Sequence, residues 1–312
     1  MKRASLVIFI ISVTAVLIAW SLLNRSLINK AMTIHAPEIG GNVKTLIMGD
    51  SHAQTALDPS LMKDAISLTY SNENYFFTYY KLKWALERGR NIENVIIGFS
   101  IHNLTDAQER VIKERTFFLE HGFLLLDDYG KNIVKKKSSD LYNYFKLKYE
   151  FGAPMNFYNN DLLLINFASD KEEFREKIWG GYKKMSSANM TEEQKQKLIK
   201  EKNTKDYISS PLMTEYLLKI VSLCEERKIS LYLLNTPIHK LYFERYTEET
   251  VITFFKDIEF LKENVDFRYL DYQWFMQDDS FFYDGEHLNE RGAEIFSRII
   301  DSIVSGGEKS AI

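Results

Sequence analysis

A single cysteine, Cys224, stands in the 312 residues, so no disulfide forms within the chain and cysteine usage leaves the compartment open. Excess charge is also missing. A net charge of −3 and a pI of about 6.1 offer nucleic acid no electrostatic foothold. No internal repeat is visible. Apolar runs of membrane length are scarce too, with one near the amino terminus. What is present is apolar and aromatic material, 45% and 14% of the chain, enough for a sizeable core.

The one long run is Leu6–Leu23, broken by Ser12, Thr14 and Ser21 and preceded by Lys2 and Arg3. Its length suits a helix that crosses a bilayer, with Trp20 near the interface. A cleaved signal peptide is the competing reading. The run is long for that, and Ala19-Trp20-Ser21 is a poor cleavage site. We expect an uncleaved single-pass anchor over residues 1–23 and a linker over 24–41. The slight positive bias of Lys2 and Arg3 over Arg25 and Lys30 orients the bulk of the chain outside the cytoplasm.

Beyond the linker, short apolar runs alternate with helical spacing. Val43–Met48, Ala65–Tyr70, Asn94–Phe99, Ile229–Asn235 and Phe267–Asp271 read as buried strands. Tyr75–Arg88, Leu212–Arg227, Glu248–Asn264 and Glu290–Val304 read as helices. Asp58-Pro59 marks a helix start, with aspartate as cap and proline at the first helical position. Strands joined by helices predict an α/β fold, a three-layer sandwich around a five-stranded parallel sheet. The core spans 42–103 and 211–306, and 104–210 is a mostly helical insertion. Its aromatics Tyr142, Tyr144, Phe145, Tyr158, Trp179 and Tyr182 look exposed. Trp179-Gly180-Gly181-Tyr182 reads as a sugar-stacking loop or as packing within the insertion.

Two polar turns carry the chemistry. Gly49-Asp50-Ser51-His52 follows the first strand, where open α/β sheets bind ligands. Asp284-Gly285-Glu286-His287 follows the last. With polar turns after the second and third strands, this pattern resembles the SGNH (GDSL-type) hydrolase superfamily. GDSHAQTALDP with DGEHLNERGA is similar to its membrane-anchored bacterial branch tied to polysaccharide O-acetylation, as in the alginate O-acetylation proteins. The resemblance covers the anchor and core strands, not Leu104–Ser210. It implies Ser51 as nucleophile, His287 as base and Asp284 as the group orienting it. That chemistry is sound, because a serine hydroxyl needs an imidazole to take its proton and a carboxylate to fix the tautomer. The superfamily's oxyanion positions carry over to Asn72 and to Asn103, with His102 or Ser100 as occupants of the latter place. Turn capping is the other reading of both asparagines.

Asp50, His52, His102, His239, Asp284 and His287 all follow expected strand ends and could hold a metal pair. The Asn-His-Glu, Gly-Asp-x-x-Asp and Gly-His-x-His blocks of a metallohydrolase are missing, so no metal and no cofactor is expected. The function implied is acyl transfer through a Ser51 acyl-enzyme, moving acetyl groups onto or off a cell-surface glycan. Its partners would be the membrane, a glycan acceptor and an integral-membrane acyl-donor protein. An anchored accessory subunit without activity is the non-enzymatic alternative.

Overall fold

Five short apolar runs become the five strands of one parallel sheet in the computed structural model, which describes residues 5–16, 18–19, 22, 33, 36–114, 125–137, 175–176 and 179–306. In chain order the elements are β1 (Thr45–Met48), α1 (Ser51–Ala56), β2 (Ala65–Ser67), α2 (Tyr75–Arg88), β3 (Asn94–Gly98), α3 (Asp106–Glu114) and α4 (Asp128–Lys137). They continue with α5 (Glu192–Lys200), α6 (Pro211–Arg227), β4 (Ser230–Asn235), α7 (Lys240–Phe243), α8 (Glu248–Asn264), β5 (Arg268–Asp271) and α9 (Glu290–Gly306). Asp58 caps a single 3-10 turn, Pro59–Leu61, so the helix expected there is only one turn long.

The strands lie in the order β2-β1-β3-β4-β5, and every neighbouring pair is parallel. Leu46, Ile47, Met48, Val95, Ile96, Ile97, Leu233 and Leu234 have no exposed surface, because helices cover both faces of such a sheet. Right-handed crossovers put the β1-to-β2 connection on one face and the later ones on the other. The packing agrees. α2 meets α6 through Phe76, Tyr80 and Tyr216, while α9 meets α1 and the turn after it. In α9 the buried Ala293, Phe296, Ser297, Ile300 and Val304 form one stripe at helical spacing. This order reverses direction between β1 and β3, and a crevice opens at their carboxyl ends.

Two compact units divide the chain: Met1–Pro37 with Ile112–Ile178, and Glu38–Val111 with Trp179–Ile312. The second holds the whole sheet and takes in residues 179–210 of the stretch assigned above to an insertion. In the first, residues 5–16 are helical with apolar side chains uncovered, Ile8 and Phe9 each 65% exposed. Among the described residues no helix is long and apolar enough to cross a membrane. The expected span is described only in part: 17, 20, 21 and 23 lie outside. Tyr142, Tyr144, Phe145 and Tyr158 also fall outside the described residues.

Trp179 corrects an expectation. It is 1% exposed, stacked on Trp84 with ring centroids 3.8 Å apart. Its carbonyl accepts from the buried Lys81 ammonium, which also pairs with Glu73. Gly181 exchanges hydrogen bonds with Thr69, its N–H to the Thr69 carbonyl and the Thr69 hydroxyl back to its own carbonyl. Gly180, at φ +79°, lies so near that a Cβ there would meet the Thr69 carbonyl oxygen at 2.0 Å. The segment is a clamp on the end of β2, chosen for close backbone approach. Trp179→Ala should therefore cost about 3–5 kcal/mol of stability, as for other buried tryptophans. An unchanged thermal midpoint would return Trp179 to the surface.

Candidate active site

At the switch point the chain is unusually close to itself. Gly49 adopts φ +118°, and a Cβ there would meet the Gly98 backbone nitrogen at 3.0 Å. A Cβ on Gly98 would in turn meet Ala53 at 3.1 Å. Two glycines and an alanine thus let β1, β3 and α1 converge where Ser51 opens the helix.

Ser51 Oγ lies 2.9 Å from His287 Nε2. His287 Nδ1 lies 2.9 and 3.0 Å from the two Asp284 oxygens. Asp284 also builds the turn that presents the ring, since its Oδ1 accepts the backbone N–H groups of Glu286 and His287, each at 2.9 Å. Burial would raise the Asp284 carboxyl, but the His287 hydrogen bond and charge outweigh it and hold it below its usual range. An ionised Asp284 fixes the proton on His287 Nδ1, leaving Nε2 to accept from the serine. The three residues expected as nucleophile, base and orienter are joined in one hydrogen-bonded line.

Asp50 organises the other side. Its Oδ1 accepts from His52 N at 3.0 Å, and its Oδ2 from His102 Nε2 at 2.6 Å and Asn103 Nδ2 at 2.7 Å. Burial pushes this carboxyl up, yet His102, His52 and Asn103 together hold it well below the usual carboxylate range. Asn103 is engaged further, for its Oδ1 accepts from Ser100 N and Ser100 Oγ. Of the expected oxyanion or substrate-binding residues, His102 and Asn72 line the cavity beside Ser51 and Asn103 does not. Asn72 reaches the cavity in a left-handed conformation, φ +59°, which asparagine tolerates.

That cavity measures about 420 Å³. Beyond Ser51, His287, Asp50 and His102 it is walled by His52, Gln108, Lys183, Lys205, Tyr242 and Glu286. The sequence reading passed over the last five. Glu286 lies inside the Asp284-to-His287 motif and could have been weighed, but nothing in the sequence pairs it with His52. His52 is 3% exposed, and its Nε2 sits 3.4 Å from Glu286. His239, 3% exposed, caps α7 and meets Asp279 at 3.0 Å, and is not among the cavity-lining residues. Tyr182 does not line the cavity either. Among the described residues no group of three or more His, Cys, Asp and Glu side chains is arranged to hold a metal ion. Cys224 is buried in α6, and burial pushes its thiol up to about 12.

The profile of an uncharacterised protein family matches residues 165–306. That span includes Asp284, Glu286 and His287 and leaves Ser51 outside. No curated protein matches the chain.

The His52–Glu286 pair sets a pH dependence. Burial would lower His52, but Glu286 and Asp50 outweigh it and raise it above the ordinary 6.5. A group raised on folding stabilises fully below its unfolded value, and that contribution is lost as pH climbs through the folded value. Stability should therefore decline from about pH 6.5 upward by a component that His52→Gln removes. Thermal midpoints from pH 6 to 9 check this, and parallel curves for the two proteins would contradict it.

Proposed function

We propose that this chain is an SGNH-type serine acyltransferase, anchored in the membrane by its amino-terminal helix. It moves acetyl groups onto a cell-surface polysaccharide outside the cytoplasm. The observation that carries the reading is the line Ser51–His287–Asp284, with both contacts of the imidazole at about 2.9 Å.

In the first half-reaction His287 Nε2 takes the Ser51 proton as Oγ attacks the acetyl carbonyl of the donor. The tetrahedral oxyanion meets the Ser51 N–H, which at the first position of α1 has no intrahelical acceptor. The donor C–O bond breaks, and His287 returns the proton to the departing oxygen. A sugar hydroxyl then gives its proton to His287 and attacks the acyl-enzyme, and Ser51 leaves with that proton. The acetyl donor would reach the site from an integral-membrane partner.

The uncovered apolar helix over residues 5–16 favours the anchor. Within it the Thr14 hydroxyl donates to the Ile10 carbonyl at 2.9 Å, which hides its polarity from an apolar medium. Attack by water in place of a sugar would make the same site a carbohydrate esterase, and the cavity mouth beside the half-buried Ser51 favours keeping that second reading. The unbroken hydrogen-bonded line favours an enzyme over an inactive accessory subunit.

Ser51→Ala should reduce turnover of a chromogenic acetyl ester on the order of a thousandfold or more, with the thermal midpoint retained. Full turnover in that variant would end the serine mechanism.

A further inference from the structure

The charges around the cavity are unevenly matched. Both carboxylates in its wall are engaged: Asp50 by His102, Asn103 and the His52 N–H, and Glu286 by His52. The imidazole of His287 is held by Asp284 and Ser51. The two ammonium groups in the wall, Lys183 and Lys205, stand differently. Among the described residues neither has a carboxylate within ion-pairing distance, whereas the neighbouring Lys184 is paired with Glu290 at 2.6 Å.

Both lysines are held by their backbones. Lys205 N donates to the Arg245 carbonyl and its own carbonyl accepts from Thr247, in a bridge beside Tyr246. Its ammonium lies 5.4 Å from the Tyr242 ring centre and 5.9 Å from that of Tyr246. Lys183 N donates to the Gln54 carbonyl of α1, the helix that begins at Ser51.

We propose that Lys205, with Lys183, binds an anionic group on the hydroxyl compound that accepts the acyl group, a phosphate or a carboxylate. This rests on the acyl-enzyme reading above. The physical reason is desolvation at Lys205, which is half-buried with no carboxylate at ion-pairing distance among the described residues. A bound anion offsets that cost while forming charge-assisted hydrogen bonds, and the exposed Lys183 adds its charge. Burial and the Arg245 guanidinium outweigh the more distant attraction of Glu286 and Glu201 and hold the Lys205 ammonium below the ordinary lysine range, so an arriving anion strengthens its charge.

The test uses the full-length protein in detergent, acylated with the neutral donor 4-nitrophenyl acetate. Deacylation is then timed with acceptor pairs that differ only in charge: glycerol against glycerol 1-phosphate, and methyl glucoside against methyl glucuronoside. At least one charged acceptor should act at about tenfold lower concentration than its neutral twin, and the pair that shows this distinguishes phosphate from carboxylate. Lys205→Met should erase the difference and Lys205→Arg should keep most of it. Equal response to charged and neutral acceptors, or a preference that survives Lys205→Met, would overturn the proposal. If the wild type shows no burst, the acyl-enzyme reading fails instead. Inorganic phosphate binding by calorimetry then decides the anion site alone: binding lost in Lys205→Met keeps it, and binding absent or unchanged removes it.

Discussion

The buried carboxylate of Asp50 is the constraint on which the site depends. A charge with 2% exposure is tolerable only if donors surround it, and Asp50 has three: the His52 backbone, the His102 ring and the Asn103 amide. Those donors come from the start of α1 and from the turn after β3, so one carboxylate fastens the ends of the two central strands together. Ser51 is the next residue, and its hydroxyl is aimed by this fastening. Gly49, Gly98 and Ala53 supply the closeness it requires. The partner groups arrive from the far end of the chain, where Asp284 uses one oxygen both to close its own turn and to hold the His287 ring.

Much of this architecture is legible in the residues alone. Short β-branched runs bounded by polar turns specify strands buried on both faces, and their alternation with helices specifies a parallel sheet. The meeting of Ser51 with Asp284 and His287 is legible because each lies in a compact polar motif, Ser51 just past β1 and the other two in the long loop between β5 and α9, and such connections leave the sheet at one edge. Asp50, His102 and Asn103 are harder. Asn103 reads from its motif as a group facing ligand, yet its amide is drawn onto Asp50, a partner that local spacing does not reveal. The Trp179-Gly180-Gly181 clamp is harder still. A tryptophan beside two glycines has the composition of a binding loop, and only the Thr69 carbonyl against Gly180 shows that the glycines serve close packing. The expected anchor differs again, since the structure describes part of its span and leaves an apolar helix uncovered.

The cavity joins these features into one chemical device. Its two carboxylates are hydrogen-bonded within the protein, its serine is hydrogen-bonded to an imidazole, and among the described residues its two lysine ammonium groups have no carboxylate at ion-pairing distance. Low dielectric around Asp50 and Glu286 strengthens each pairing and would make an unpaired member costly, so the polar network is rigid where the chemistry needs precision. On the acyl-enzyme reading proposed above, a serine so positioned is prepared before substrate arrives, which is the condition for stabilising a transition state more than a ground state.

The most direct measurement is mass spectrometry of the acid-quenched protein during turnover of 4-nitrophenyl acetate. The account predicts one acetyl group per chain, carried on the peptide that contains Ser51, and no such adduct in Ser51→Ala or in His287→Ala, which loses the base of the first half-reaction. Turnover without a covalent acetyl, or an acetyl on His52 or His102 with Ser51 unmodified, would contradict it.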